Sequence, residues 1–183
     1  MKQTKTRPAV KLAFCAVLAA LETALMMIAS FVPVGTYAVP CFAGAFTVAA
    51  VIEYGAKWAA GVYFVSGALS MFLCADKEAA LLFALLFGYY PIIKNVIESK
   101  LKGKALQYAV KFVLFNAAAV GSFFISVNLL AIPAEEFSVG GVYVPYLFLA
   151  AGNVFFLLYD IMLTRFVVLY AVRIRKAIFS KLR

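Results

Sequence analysis

The sequence predicts an all-α integral membrane protein, built as a six-transmembrane-helix bundle with both termini in the cytoplasm. Hydrophobic residues make up 66% of the 183-residue chain, and charged residues only 14%. The mean hydropathy is +1.00, whereas an ordinary soluble domain is only about half apolar. A water-soluble core of this size cannot bury so much apolar surface. Residues 1–183 are therefore expected to form a single transmembrane domain.

Six apolar segments, each long enough to cross a bilayer, follow one another along the chain. A helix of about 20 apolar residues crosses the hydrocarbon layer, which is roughly 30 Å thick. Short breaks that contain proline, glycine or charged residues separate the segments. The predicted spans run from about Ala9 to Phe31, Val34 to Ile52, Trp58 to Ala75, Ala79 to Ile97, Leu106 to Ile132 and Tyr143 to Val172.

The positions of the basic residues predict the orientation of the bundle. Lys and Arg resist export across a membrane, whereas acidic residues have little influence. With both termini inside, the 17 Lys and Arg residues all fall on the cytoplasmic side except Lys77. An even number of spans follows, because an odd number would place one of the two terminal basic clusters outside. The basic tail from Arg173 onward is expected to lie along the anionic membrane lipid of the inner leaflet.

The composition argues against several other classes of function. The net charge of +9 is spread over the inner loops and the tail, as the topology alone requires, so we expect no nucleic-acid binding. The chain contains no histidine, and Cys15, Cys41 and Cys74 form no CxxC pair. We therefore predict no metal site and no cofactor. We also do not expect an enzyme, because no catalytic residues with a nucleophile and a matching base are recognisable.

The first predicted span has two different faces. Five alanines lie within a stripe about 60° wide on the helix, namely Ala9, Ala13, Ala16, Ala20 and Ala24. Glu22 points roughly 140° away from the centre of that stripe. Because a carboxylate facing lipid is costly, Glu22 is expected to face the bundle or a polar cavity, where it is a candidate substrate contact. The small alanines favour close approach of another helix, which belongs either to a second protein or to this chain.

A ribbon of polar side chains follows one side of the sixth predicted span. Steps of seven, seven and four residues place its members within about 40° of one another, and they are Tyr146, Asn153, Asp160 and Thr164. Tyr146 and Asn153 lie in the outer half of the span and are candidate substrate contacts, as is Asn128 near the outer end of the fifth span. Asp160 lies deeper, at the level of Lys111. We expect these two residues to form a buried ion pair, with Lys94 as the alternative partner and ligand contact as the alternative role of Asp160.

The fourth predicted span contains a proline in its middle. Pro91 removes the helical hydrogen bond to the carbonyl of Phe87, so a kink is predicted there, and Gly88 provides room for it. Tyr90 and Lys94 then share one face of the helix. Tyr90 is a candidate for lining the pocket of a flat ligand; the alternative is a bent helix whose tyrosines find partners inside the bundle.

Two connections on the predicted outer side are candidates for closing over a pocket. The segment from Pro33 to Pro40 is uncharged and carries Tyr37 in its middle, which makes Tyr37 a candidate substrate contact. The segment from Ala134 to Gly141 is acidic and ends in two glycines. Each connection is either a lid or an ordinary turn.

Several features of the first half of the chain occur together in one known family. They are a basic amino terminus, the patterns Ala16-x-x-x-Ala20 and Ala20-x-x-x-Ala24, a proline-containing outer loop, and the turn Glu53-Tyr54-Gly55-Ala56-Lys57-Trp58-Ala59-Ala60-Gly61. With six spans and both ends inside, the chain resembles the S components of energy-coupling factor (ECF) transporters. These are small bacterial membrane proteins that bind a vitamin or a similar micronutrient from outside.

The resemblance implies partners and sites. In that family, an AxxxA pattern on the first helix docks onto a transmembrane coupling protein, which is driven by two ATPase subunits. Ala16, Ala20 and Ala24 would form the docking stripe here, and Asn128, Tyr146 and Asn153 would lie near the ligand. The location would be the inner (plasma) membrane of a bacterium. The alternative hypothesis is a six-helix scaffold protein of the cell-shape type, which binds no ligand and whose polar ribbon only packs.

Overall fold

The structure is a computed structural model that describes residues 8–32, 35–128, 138–139, 142–143 and 145–175. Helices account for most of the described chain. They are α1 (Pro8–Ile28), α2 (Gly35–Tyr54), α3 (Ala56–Leu73), α4 (Lys77–Leu82), α5 (Tyr90–Lys100), α6 (Lys104–Asn128) and α7 (Pro145–Leu169). A short 3₁₀ turn (Ala29–Phe31) extends α1, and π-helical turns follow α4 (Phe83–Phe87) and α7 (Tyr170–Ile174).

Six helical stretches in the described residues are long and apolar enough to cross a membrane, as predicted. They are Pro8–Phe31, Gly35–Tyr54, Ala56–Leu73, Lys77–Lys100, Lys104–Asn128 and Tyr146–Arg173. The fourth stretch combines α4, a π turn and α5. The end of the predicted fifth span, up to Ile132, and the tail beyond Arg175 lie outside the described residues.

The start of the sixth span differs from the prediction. Tyr143 belongs to a two-residue strand, β2 (Val142–Tyr143), which pairs antiparallel with β1 (Ser138–Val139) in the register Ser138 to Tyr143. The helix begins only at Pro145. Proline is common in the first turn of a helix. The N–H groups of that turn have no partner within the helix, so the N–H that proline lacks costs no hydrogen bond.

The second helix is the centre of the bundle. It packs against α1, α3, α4, α5 and α7, whereas α6 packs against α4, α5, α7 and the π turn after α4. Small residues at positions 43, 44, 45, 49 and 50 of α2 allow its neighbours to approach closely. We call the end of the bundle with the first turn of α2 the Tyr37 end, and the opposite end, with the α5–α6 turn, the Lys100 end.

The beginning of α2 corrects the expected outer loop. The segment from Gly35 to Pro40 is the first turn and a half of the helix and not a connection. Pro40 lies inside the helix, where it removes the hydrogen bond that a backbone N–H at this position would donate to the carbonyl of Thr36. Pro33 and Val34 are outside the described residues, and so is most of the second expected lid from Ala134 to Gly141.

The fourth spanning stretch is interrupted where Pro91 predicted a kink. The Gly88 N–H donates to the carbonyl of Phe83, five residues back, over 2.7 Å, and α5 then starts afresh at Tyr90. Pro91 leaves the carbonyl of Phe87 without its usual helical donor. The Tyr159 hydroxyl of α7 supplies one, over 3.2 Å. A side chain from another helix therefore stabilises the interruption.

Replacing Gly44 by alanine is expected to lower the free energy of unfolding by about 1–3 kcal/mol. A Cβ at this position would lie 2.5 Å from the Phe87 carbonyl oxygen and 2.9 Å from the Tyr159 hydroxyl. The added methyl group would push α2 away from the π turn and disturb the hydrogen bond between those two residues. An SDS titration in mixed micelles, followed by circular dichroism, measures the change.

The matched control for Gly44→Ala is Gly61→Ala in α3. A Cβ at Gly61 meets nothing within 4 Å, so this variant gains only helix propensity, up to about 1 kcal/mol. If the two variants unfolded at the same SDS fraction, close approach at Gly44 would not be a determinant of stability.

Candidate functional site

A cavity of about 740 Å³ lies between α2, α4, α6 and α7 at the Tyr37 end of the bundle. Its volume is within the range of small-molecule sites, about 300–1,000 Å³. The cavity is partly open to the surroundings. Its lining residues come from the first turn of α2, from α4 and the π turn that follows it, from the middle and last turns of α6, and from the first half of α7. Its shape therefore depends on how these separate elements pack.

The lining of the cavity is mainly aromatic. Six phenylalanines contribute to it, at positions 87, 115, 123, 124, 148 and 155, together with Tyr37 and Tyr146. The polar groups are few: the hydroxyls of Ser122 and Ser126, those of the two tyrosines, and the carboxylate of Glu78. The Tyr37 hydroxyl donates to Oε1 of Glu78 over 3.4 Å, which links α2 to α4 at the rim.

Two of the six predicted substrate contacts line this cavity, and four do not. Tyr37 and Tyr146 are in the lining. Asn128 is exposed at the end of α6, where its amide nitrogen donates to the carbonyl of Phe124 over 2.8 Å. The other three, Glu22, Tyr90 and Asn153, have partners inside the bundle.

Asn153 forms a closed pair with an asparagine of the neighbouring helix. The amide nitrogens of Asn116 and Asn153 each donate to the other's oxygen, over 2.8 and 2.9 Å. Each amide also donates to a carbonyl four residues back in its own helix. A polar group that is partly withdrawn from water needs such partners, and here α6 and α7 supply them to each other. The pair joins two helices and does not line the cavity.

Glu22 is fully buried, with 0% of its surface exposed. The Thr47 hydroxyl of α2 donates to Oε1 over 2.8 Å, and the Ser66 hydroxyl of α3 lies 2.6 Å from Oε2. The carboxyl group therefore faces the bundle, as the cost of exposing it to lipid predicts. It connects α1 to α2 and α3 away from the cavity.

Four charged side chains from α5, α6 and α7 meet towards the Lys100 end. Asp160 Oδ1 lies 2.5 Å from Lys94 Nζ and 3.1 Å from Lys111 Nζ. The two ammonium groups also reach Glu98 Oε1, at 2.9 and 2.6 Å. Tyr90 donates its hydroxyl hydrogen to Asp160 Oδ1 over 2.5 Å. The expected contact of Asp160 with Lys111 is thus present, and Lys94, weighed as the alternative partner, joins it in a network that is balanced in charge.

The alanine stripe of α1 lies on the surface of the protein. All five of its members are exposed, and larger apolar side chains beside them are exposed too, among them Leu12 at 64% and Val17 at 58%. No other part of the described chain covers the stripe. Packing of the stripe within the bundle, the alternative left open by the spacing, is therefore wrong for the described residues.

Sequence reasoning missed most of the cavity lining. The phenylalanines of α6 and α7 have the composition of ordinary lipid-facing residues, so no pattern separates those that face a cavity from those that face acyl chains. Glu78 lies in the first turn of α4, which Asp76 caps; its position in a short charged break between two spans gives no sign in the sequence that it faces a cavity. Ser122 and Ser126, four residues apart on one face of α6, were the available signal, because small polar side chains in a span usually face protein or water.

The fold and the site together define a protein whose described residues form six helical stretches long and apolar enough to cross a membrane, with an aromatic cavity towards one end. In the part of the chain that the structure describes, no group of three or more His, Cys, Asp or Glu side chains is placed to hold a metal ion. Comparisons of the chain with protein-family models, curated proteins and solved structures found no match.

Proposed function

We propose that the protein is the substrate-binding S component of an ECF-type importer for a vitamin or a related micronutrient. The cavity of about 740 Å³ at the Tyr37 end carries this proposal. Its size suits a small molecule, and its aromatic lining offers stacking surfaces with a few polar groups to orient a ligand. A scaffold protein would have no need of such a cavity.

The Tyr37 end faces the outside in this proposal. Lys57, Lys94, Lys100, Lys102 and Lys104 lie in or next to the segments at the Lys100 end, which is then cytoplasmic according to the positive-inside rule. Lys77 is the basic residue of the described chain at the Tyr37 end. The cavity thus takes up its ligand from outside, and both termini are in the cytoplasm of a bacterial cell.

The exposed face of α1 docks onto the coupling protein in this proposal. Ala16, Ala20 and Ala24 are exposed, although Glu22 on the opposite side of the same helix is fully buried. Small side chains facing only lipid gain little, whereas they allow a second helix to approach the backbone closely. The two ATPase subunits act through the coupling protein and do not need to contact this chain's cavity.

The paired substitution Ala119→Trp with Ala151→Trp is expected to abolish ligand binding. Both alanines line the cavity, one from α6 and one from α7, so two indole rings would occupy the space of the ligand. Native mass spectrometry of protein purified from its own membranes should show a bound small molecule in the wild type and none in this variant. A micronutrient at 100 times its dissociation constant should stabilise the wild type by about 2.7 kcal/mol in a thermal-shift screen.

The control for the cavity variant is Ala117→Trp with Val154→Trp. These residues are on the same two helices but are exposed and outside the lining, so the bound molecule should be retained. If the wild type carried no small molecule and no micronutrient raised its melting temperature, the substrate-binding proposal would fail and the scaffold hypothesis would be favoured.

A further inference from the structure

Building on the proposed function, we infer that the ligand is a flat aromatic molecule with a positive charge. The inference rests on the chemistry of the cavity lining: eight aromatic side chains around the space, and one carboxylate, that of Glu78, among the described lining residues. No Lys or Arg belongs to that lining. An anionic ligand would therefore enter without a counter-charge and would be repelled by Glu78.

The charged side chains of the described residues near the cavity also favour a cationic ligand. Asp76 caps the start of α4 and Glu78 lies in its first turn, and Thr36 donates its hydroxyl hydrogen to Oδ2 of Asp76 over 2.6 Å. Lys77, between them in sequence, directs its ammonium group to the carbonyl of Met71 over 2.8 Å. Among the described residues at this end, acidic side chains therefore outnumber basic ones.

The aromatic rings favour a cation for a second, independent reason. The face of an aromatic ring is electronegative, and it attracts a nearby positive charge by about 0.5–2 kcal/mol, most strongly where water is excluded. The rings of Phe87 and Phe155, which both line the cavity, pack edge to face with centroids 6.1 Å apart. Rings held in fixed positions by such contacts present preformed faces to a flat ligand. A delocalised aromatic cation gains from stacking, from the ring faces and from Glu78 together.

Three tricyclic probes of similar outline test the inference: N-methylacridinium (cationic), N-methylacridone (neutral) and anthracene-9-carboxylate (anionic). Binding is titrated by fluorescence on the protein in nanodiscs of uncharged phosphatidylcholine, with empty nanodiscs as the blank, so that lipid charge attracts no probe. We expect the cation to bind at least about tenfold more tightly than the neutral probe, and the anion to show no saturable binding. Equal affinities, a preference for the anion, or no binding of any probe would overturn the inference.

The variant Glu78→Gln isolates the contribution of the carboxylate. It should reduce the preference for the cation over the neutral probe at least about threefold and leave only the part that the rings contribute, while the neutral probe binds as before. The matched charge-changing control is Lys77→Gln, whose side chain is next in sequence but outside the lining; it should leave the preference at its wild-type value or increase it. An unchanged preference in Glu78→Gln would overturn the assigned role of Glu78.

A failure of the inference about ligand charge can be distinguished from a failure of the proposed function. If native mass spectrometry finds a bound small molecule that the paired substitution Ala119→Trp with Ala151→Trp removes, while the cationic probe is not preferred, then the cavity is a binding site and only the charge of its ligand is wrong. If neither a native small molecule nor any probe binds, both proposals fail.

Discussion

Replacement of Asp160 by asparagine is expected to lower the free energy of unfolding by about 3–5 kcal/mol, because it leaves a buried charge without compensation. Lys94 and Lys111 are 5% and 2% exposed, and the ammonium groups of both form ion pairs with the Asp160 carboxylate. Without the carboxylate, their two positive charges share only Glu98. The loss is measured by SDS titration in mixed micelles and should be accompanied by a lower yield of monodisperse protein.

Removal of a second charge should reverse most of this loss. In the double variant Asp160→Asn with Lys111→Met, Lys94 and Glu98 remain as a neutral pair at 2.9 Å, so no net charge is buried. The comparison variant Glu98→Gln makes the same change in net charge and also leaves the two buried lysines with one carboxylate. It should destabilise less than Asp160→Asn, because the Glu98 side chain is 41% exposed and water can take over part of its role. A double variant no more stable than Asp160→Asn alone would contradict the charge-balance explanation.

The paired substitution Ala16→Trp with Ala20→Trp is expected to abolish copurification of the protein with the proposed coupling protein and its ATPase subunits. Close approach of two helices requires small side chains at their contact, and two indole rings would hold the backbones apart. Because both alanines are exposed, the fold should be unaffected: the variant should keep its melting temperature and its bound ligand. The measurement is affinity purification from native membranes, with the ATPase subunits identified by mass spectrometry.

The control for the docking variant is Val113→Trp with Ala117→Trp on α6. These residues have the same i, i+4 spacing and are also exposed, Val113 at 68%, but they are on a different face of the bundle. They should leave copurification intact. Recovery of the same subunits with the Ala16 and Ala20 variant would exclude this stripe as the docking surface.

Those features of the fold that depend on transfer from water to lipid were predictable from the sequence. The lengths of the six apolar segments predicted the number of helical stretches long enough to cross a membrane, and the boundaries agree to within a few residues where the structure describes them. The burial of Glu22 followed from the cost of a carboxylate in lipid. The interruption at Pro91 followed from a missing N–H group. Each of these depends on one residue or segment and its solvent, and requires no knowledge of the neighbouring helix.

The candidate site was predictable only in small part. A polar residue in an apolar span needs a partner, but helical spacing does not say whether that partner is a ligand or another helix. Asn153 meets Asn116 of α6, and Tyr90 meets Asp160 of α7, so neither lines the cavity. Tyr146 belongs to the same sequence ribbon as Asn153, yet it does line the cavity. The difference depends on which helices are adjacent and at what depth.

By itself, the sequence determined that the chain forms six apolar helices and which face of α1 turns inward, because both follow from the free energy of placing particular side chains in lipid. Only the tertiary structure decided that the alanine stripe is uncovered, that Asp160 is shared by two lysines, and that aromatic residues of four elements enclose a cavity around a single carboxylate. These features arise from contacts between segments distant in the chain. Phenylalanines facing a cavity and phenylalanines facing lipid have the same sequence pattern, so only the packing of the helices distinguishes them.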